Sequence, residues 1–275
     1  MKNFSNKYIF IFSSVMVVIV AALLSIVALM LKPAQDQNVK AETMQNILSS
    51  IHIESTRANA EELFNKNISK SYVIDIEGQP KEGVTALSVN LAKEKEKIDR
   101  IKNLENSIRE VRESPFKKFL AGFINIRKSD VSSIKTTIQK ERQERLLPVY
   151  ESVRENDTVY IFPLYGKGLW GPIWGFVALQ SDMNTIYGAV FDHKGETPGL
   201  GAEINLPWFE SAFNGKKLYE DGKFVSVEVV KGGTSDDNPH GVDAISGGTI
   251  TSNGLEAMLY DNLVSYERFF EKKRK

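Results

Sequence analysis

Thr158-Val159-Tyr160-Ile161-Phe162-Pro163-Leu164-Tyr165 and Ile173-Trp174-Gly175-Phe176-Val177-Ala178-Leu179-Gln180 decide the fold, together with the glycine-rich stretch Gly166–Pro172 between them. Both runs are rich in β-branched and aromatic residues, which suit a pleated, half-buried surface. The glycines and proline between them read as a turn. A third run, Thr185–Asp192, has the same character, and β character begins at Leu147. Beyond it, Pro207–Asn214 is expected to form a short helix. Lys223–Lys231 alternates as Phe224, Val225, Val227 and Val229 and is expected to be a strand. The C-terminus is expected to be helical from Asn253, with Leu255, Met258, Leu259, Asn262 and Tyr266 on one face. Asn253 and Glu256 have the spacing of a capping box.

Upstream, Met44, Ile47, Leu48 and Ile51 fall at i, i+3, i+4 and i+7, so one face of a helix is apolar there. A second helix is expected from Ser55 as N-cap to Phe64, then a strand over Tyr72–Ile76 ended by Gly78-Gln79-Pro80. Residues 81–147 carry 16 basic and 10 acidic side chains. A charge run of this kind is expected to be a solvated helix or helix pair.

Tyr8–Leu31 is 24 residues without a charge. At 1.5 Å per residue such a helix is about 36 Å long, enough to cross a hydrocarbon core of about 30 Å. A cleaved signal peptide has a shorter apolar region and a small-residue cleavage site, whereas this run ends in Leu29-Met30-Leu31-Lys32-Pro33. Lys32–Val39 is expected to be a short polar linker. Lys2 and Lys7 precede the span without an acid, so the positive-inside rule puts residues 1–7 in the cytoplasm and the rest outside it. The remainder holds 33 basic and 35 acidic side chains (35 − 2 and 35), a balance that does not suit a nucleic-acid partner. The absence of cysteine excludes disulfides, thiolate metal sites and a cysteine nucleophile.

Gly166-Lys167-Gly168-Leu169-Trp170-Gly171 has the form G-x-G-x-x-G, but Pro172 and a strand follow it where a dinucleotide fold needs a helix. It reads as a turn bracketed by Trp170 and Trp174. His193-Lys194-Gly195-Glu196-Thr197-Pro198-Gly199-Leu200-Gly201 is a polar loop of tight turns. His193 and Glu196 would suit acid–base or metal chemistry, yet no third ligand stands near them in sequence. Asp243-Ala244-Ile245-Ser246-Gly247-Gly248-Thr249-Ile250-Thr251-Ser252 sets four hydroxyls and two glycines just before a helix. That is either a phosphate cradle on the free amides of a helix start or an N-cap loop rich in Ser and Thr.

These three segments, in this order, resemble the FMN-binding domain family of bacterial respiratory complexes. The family carries Asp-x-x-Ser-Gly-Ala-Thr-x-Thr-Ser, in which the first Thr bears FMN through a phosphoester. Residues 243–252 match it with Gly248 in place of Ala. The resemblance implies covalent FMN on Thr249, with Asp243, Ser246, Gly247, Gly248 and Thr251 around the attachment. It also implies Leu169, Trp170 and Leu200 as ring-packing residues, and Glu196, Thr197 and Gly199 as further contacts. It implies an α+β fold: a single transmembrane helix over residues 8–31, then an extracytoplasmic FMN-binding domain with an antiparallel β-rich core and flanking helices. Residues 32–146 would form a helical part with a charged insertion, and residues 147–275 the flavin domain. The implied role is an electron-carrying subunit of a sodium-moving NADH:quinone oxidoreductase in the bacterial inner membrane, with the flavin domain in the periplasm. Its partners would be other integral-membrane subunits and a flavin transferase. The competing readings are a stand-alone membrane-anchored flavoprotein reductase and a non-redox extracytoplasmic binding module.

Overall fold

The structure, a computed structural model, describes residues 5–113, 128–154, 157–235 and 237–274. Five strands form one antiparallel sheet in chain order: β1 (Ile68–Ile74), β2 (Leu147–Arg154), β3 (Asp157–Lys167), β4 (Pro172–Leu179) and β5 (Ile186–His193). The period-two pattern explains why β3 is central. Val159 and Ile161 point into one apolar cluster, and Tyr160, Phe162 and Leu164 into the other. On β4, Phe176 and Ala178 join the first cluster, while Ile173, Val177 and Leu179 join the second.

Each face has its own helices. Helix α1 (Asn6–Ser49) ends with Met44, Ile47 and Leu48 buried on the first face, beside Phe64 of α2 (Ala60–Asn67). On the second face lie α6 (Thr249–Leu263) and α7 (Glu267–Lys273), which contribute Leu255, Met258, Leu259, Phe269 and Phe270. Phe162 meets Tyr266 and Phe270 edge-on at 4.8 and 5.1 Å, the preferred aromatic geometry. Such a fully buried side chain contributes about 1.5–3 kcal/mol by burial alone. The charged segment forms a helix pair, α3 (Leu91–Glu113) and α4 (Lys128–Gln143), laced by Arg100–Glu141 and Arg142–Glu105. Residues 114–127 of that segment lie outside the described residues. The buried Glu94–Arg145 pair (2.9 Å) and the Lys102–Asp261 pair tie α3 to the start of β2 and to α6.

Between β5 and α6 the chain makes a 3-10 turn (Gly201–Asn205), the short helix α5 (Pro207–Ser211) and four short strands. These are β6 (Tyr219–Glu220), β7 (Lys223–Phe224), β8 (Glu228–Val230) and β9 (Gly241–Asp243); β8 and β9 pair in parallel.

Four local expectations are revised. The strand over Lys223–Lys231 is broken at Ser226, whose φ of 66° is left-handed and cannot continue a strand. The linker at Lys32–Val39 is helical: α1 runs through Pro33, which removes one backbone hydrogen bond while its fixed φ remains compatible with the helix. The second helix starts at Ala60 rather than after Ser55, because Asn59 Oδ1 accepts from Thr56 N and holds a turn there. Helix α6 starts four residues before Asn253, so there is no capping box. Glu256 instead reaches across to accept from Val229 N at 2.9 Å.

The placement of α6 depends on close backbone approach. A Cβ on Gly254 would lie 2.3 Å from Lys167 O, and one on Gly166 would lie 2.7 Å from Met258 Cβ. Asn262 Nδ2 also donates to Tyr165 O at 3.1 Å. Alanine gains about 1 kcal/mol over glycine in a helix, but overlap with backbone costs about 1–3 kcal/mol. Gly254→Ala should therefore lower the unfolding midpoint of the detergent-solubilised chain in a thermal melt. A raised midpoint would show that α6 is not packed this closely on β3.

Candidate functional site

The register of the sheet brings the three sequence segments to one end. Lys167 pairs with Pro172 and Ile173 with His193, so the β3–β4 turn and the loop after β5 leave the sheet side by side. The turn is closed by Gly168 N donating to Gly171 O at 2.8 Å. Helix α6, packed on β3, delivers its N-terminus to the same end. Between them is a cavity of about 220 Å³, lined by Leu169, Glu196, Thr197, Leu200, Gly201 and residues 247–251.

The four hydroxyls of the 243–252 segment differ sharply in their surroundings. Ser252 is buried and its Oγ accepts from Ile245 N at 3.1 Å, which folds the loop onto the helix start. Thr251 lines the cavity but is buried, and its Oγ1 donates to Glu196 Oε2 at 2.5 Å. Ser246 is exposed and lies outside the cavity lining. Thr249 is half-buried and lines the cavity, and among the described residues no hydrogen bond engages its hydroxyl. It is also the first residue of α6, whose N-cap Gly248 supplies no side-chain acceptor, so the first-turn amides are open to an anion.

Glu196 is buried. Its Oε1 accepts from Trp170 N at 2.9 Å. Burial pushes the carboxyl up, but hydrogen bonds from Thr251 and from the amides of Trp170, Leu169 and Gly171 outweigh it and hold the group below its usual range. Trp170 is exposed, and its Nε1 donates to Thr197 Oγ1 at 3.1 Å. Leu169, Leu200 and Ile250 are also exposed and line the rim. His193 Nδ1 accepts from Glu196 N at 3.1 Å, which fixes the loop. Among the described residues, no group of three or more His, Asp or Glu could hold a metal ion.

Asp243, Ser246, Gly199 and Trp170 lie outside the cavity lining. Asp243 is exposed on β9 and accepts from Thr234 N at 2.7 Å. Gly201 and Ile250 line the cavity although the sequence motifs do not single them out. The signal for Gly201 is that it closes the 193–201 loop; Ile250 occupies a variable position of the motif and gives none.

A free hydroxyl at a helix start, glycine loops and apolar side chains on one rim of a β-sheet define a flavin-phosphate type of binding domain, and residues 168–264 match the FMN-binding domain family. The chain is 30% identical over 229 residues to the C subunit of the Na(+)-translocating NADH-quinone reductase of Haemophilus ducreyi, covering 83% of this chain and 78% of that protein. It is 38% identical over 135 residues to the corresponding protein of Vibrio anguillarum, 47% of this chain and 53% of that one. Several of these curated relatives are matched over about half their length or less. The solved structure of the equivalent protein from Parabacteroides distasonis superposes with a TM-score of 0.66 at 34% identity, covering 87% of this chain and 96% of that one. The chain belongs to the family formed by the C subunits of Na(+)-translocating NADH-quinone reductases.

Gly247 and Gly248 make different demands. Gly247 has φ 72°, so a side chain there adds about 1–2 kcal/mol of left-handed strain. Gly248 has φ −101°, where L-residues are unstrained, and a Cβ would need Ile245 to yield from 3.0 Å. Gly247→Ala should therefore lower the melting midpoint more than Gly248→Ala does. The reverse order in paired thermal melts would refute this reading of the loop.

Proposed function

We propose that this chain is an electron-carrying subunit of a sodium-translocating NADH:quinone reductase and holds FMN through a phosphoester to Thr249 Oγ1. The observation that carries the attachment is the contrast among the motif hydroxyls: Thr249 both lines the cavity and lacks an internal hydrogen bond among the described residues. Thr251 is committed to Glu196 and Ser252 to Ile245. Attachment joins Thr249 Oγ1 to phosphorus, the hydroxyl proton leaves, and a flavin transferase supplies the activated flavin and the base.

The residues present fit such a group. Small-molecule pockets commonly enclose about 300–1,000 Å³, so a cavity of about 220 Å³ suits the phosphate end of FMN rather than the whole molecule. The ring would then lie on the exposed rim, against Leu169, Trp170 and Leu200. First-turn amides of α6 offset the phosphodiester charge. Thr197, already an acceptor for Trp170, retains its own O–H to donate. Gly199, Asp243 and Ser246 flank the attachment loop as further contacts. Bound FMN would supply one- and two-electron transfer; the chain's own residues position it and exclude water from one side. NADH oxidation, quinone reduction and sodium movement belong to partner subunits in the membrane.

Expression with a bacterial flavin transferase tests the attachment. Flavin fluorescence should survive denaturing electrophoresis, disappear in Thr249→Ala and persist in Thr251→Ala. Covalent flavin retained by Thr249→Ala would rule out this residue.

The described residues include one helix long and apolar enough to cross a membrane, within Asn6–Ser49. With Lys2 and Lys7 before it, we place the N-terminus in the cytoplasm and the flavin domain in the periplasm. The span holds the domain beside its partners and raises the effective concentration. A fragment from residue 32 retains the buried Met44, Ile47 and Leu48. It should fold and accept flavin, yet at micromolar levels fail to restore quinone reductase activity to membranes that lack the native protein. Full recovery would mean that the span is dispensable.

A further inference from the structure

Glu196 is the least expected group at this site. Its side chain is 4% exposed, and among the described residues no ion pair neutralises it. Only hydrogen-bond donors face it: Thr251 Oγ1 at 2.5 Å, Trp170 N at 2.9 Å and the neighbouring amides of the β3–β4 turn. Those donors keep it ionised. An unpaired buried carboxylate is costly to desolvate, so a neutral side chain would be the cheaper strut if bracing were the whole role.

The surroundings are shaped around this carboxylate. A Cβ on Gly168 would lie 2.6 Å from Oε1, and a Cβ on Gly201 would lie 2.7 Å from Oε2 and 2.4 Å from Thr251 Oγ1. Both positions face the carboxylate at a distance no side chain tolerates. One group therefore joins the β3–β4 turn, the loop after β5 and the first turn of α6, and it lines the same cavity as Thr249.

We propose that Glu196 is a positioning residue that holds these three walls in register, and that its fixed negative charge lowers the reduction potential of a flavin seated there. The inference rests on the flavin attachment proposed above. Electrons added to a ring near a fixed anion in a partly dry site are destabilised by charge repulsion, and nearby charge is one of the levers by which a protein tunes a flavin.

The test uses the full chain expressed with a flavin transferase, comparing wild type, Glu196→Gln, Thr251→Val and Thr251→Ser. The readouts are covalent flavin per chain and the midpoint potential by spectroelectrochemical titration. Glu196→Gln keeps the shape and removes the charge. It should shift the reduced-to-oxidised ratio at fixed potential about tenfold toward reduced, about 30 mV for a two-electron couple. Thr251→Val removes a strut bond but leaves the charge. It should lower flavin loading severalfold without raising the midpoint, and Thr251→Ser should restore loading. An unchanged midpoint in flavinylated Glu196→Gln overturns the electrostatic role. If that variant does not fold, wild-type loading in Thr251→Val overturns the bracing role. A wild-type chain with no covalent flavin overturns the attachment reading instead, so the two failures are distinguishable.

Discussion

The hydrogen bond from Thr251 to the buried Glu196 carboxylate holds the start of α6 against two loops that leave the sheet from different strands. Much of the site follows from it. Thr251 is turned inward, so Thr249, two residues earlier on the helix, is left facing the cavity. Leu169 and Trp170 are held at the rim because the amides of their turn are gathered on the same carboxylate. Gly168 and Gly201 must be glycine because its oxygens occupy the space of a side chain. The contact survives because α6 cannot drift: its backbone sits close on β3 through Gly254 and Gly166, and the Phe162–Tyr266–Phe270 cluster anchors its C-terminal continuation.

The sheet was legible from the sequence because its strands obey a short-range rule. Val159 and Ile161 alternate with Tyr160, Phe162 and Leu164, and Gly-Pro turns separate the runs. The helix faces at Met44–Ile51 and Leu255–Leu259 were legible for the same reason, at a different period. The misreadings arose where a local pattern competed with a distant partner. Asn253 and Glu256 have capping-box spacing, but Ser252 folds the preceding loop onto the helix and Glu256 serves β8 instead. Pro33 looked like a linker residue, yet one lost hydrogen bond does not end a helix that is long on both sides. Ser226 looked like a strand position until its left-handed backbone broke the run. At the site, the motif gave the residues but not their division of labour. The Glu196–Thr251 bond spans 55 positions, and no local spacing encodes it.

The continuity of α1 changes how the anchor is understood. Its apolar stretch and its buried Met44, Ile47 and Leu48 belong to one 44-residue helix rather than to a span and a separate domain helix. The same element that is long and apolar enough to enter a bilayer also packs on the sheet face opposite α6. Any force or restraint at the membrane is therefore delivered to the β-sheet itself, with Pro33 the position where the helix has lost a backbone hydrogen bond and bends most readily.

Everything proposed for the flavin turns on a single phosphoester at Thr249. Mass spectrometry of the full chain expressed with a flavin transferase tests it most directly, with fragmentation of the peptide that contains residues 243–256. Attachment at Thr249 predicts one added FMN less one water on the intact chain, localised to Thr249 and absent from Thr251. An unmodified chain, or the same increment on any other residue, would contradict it.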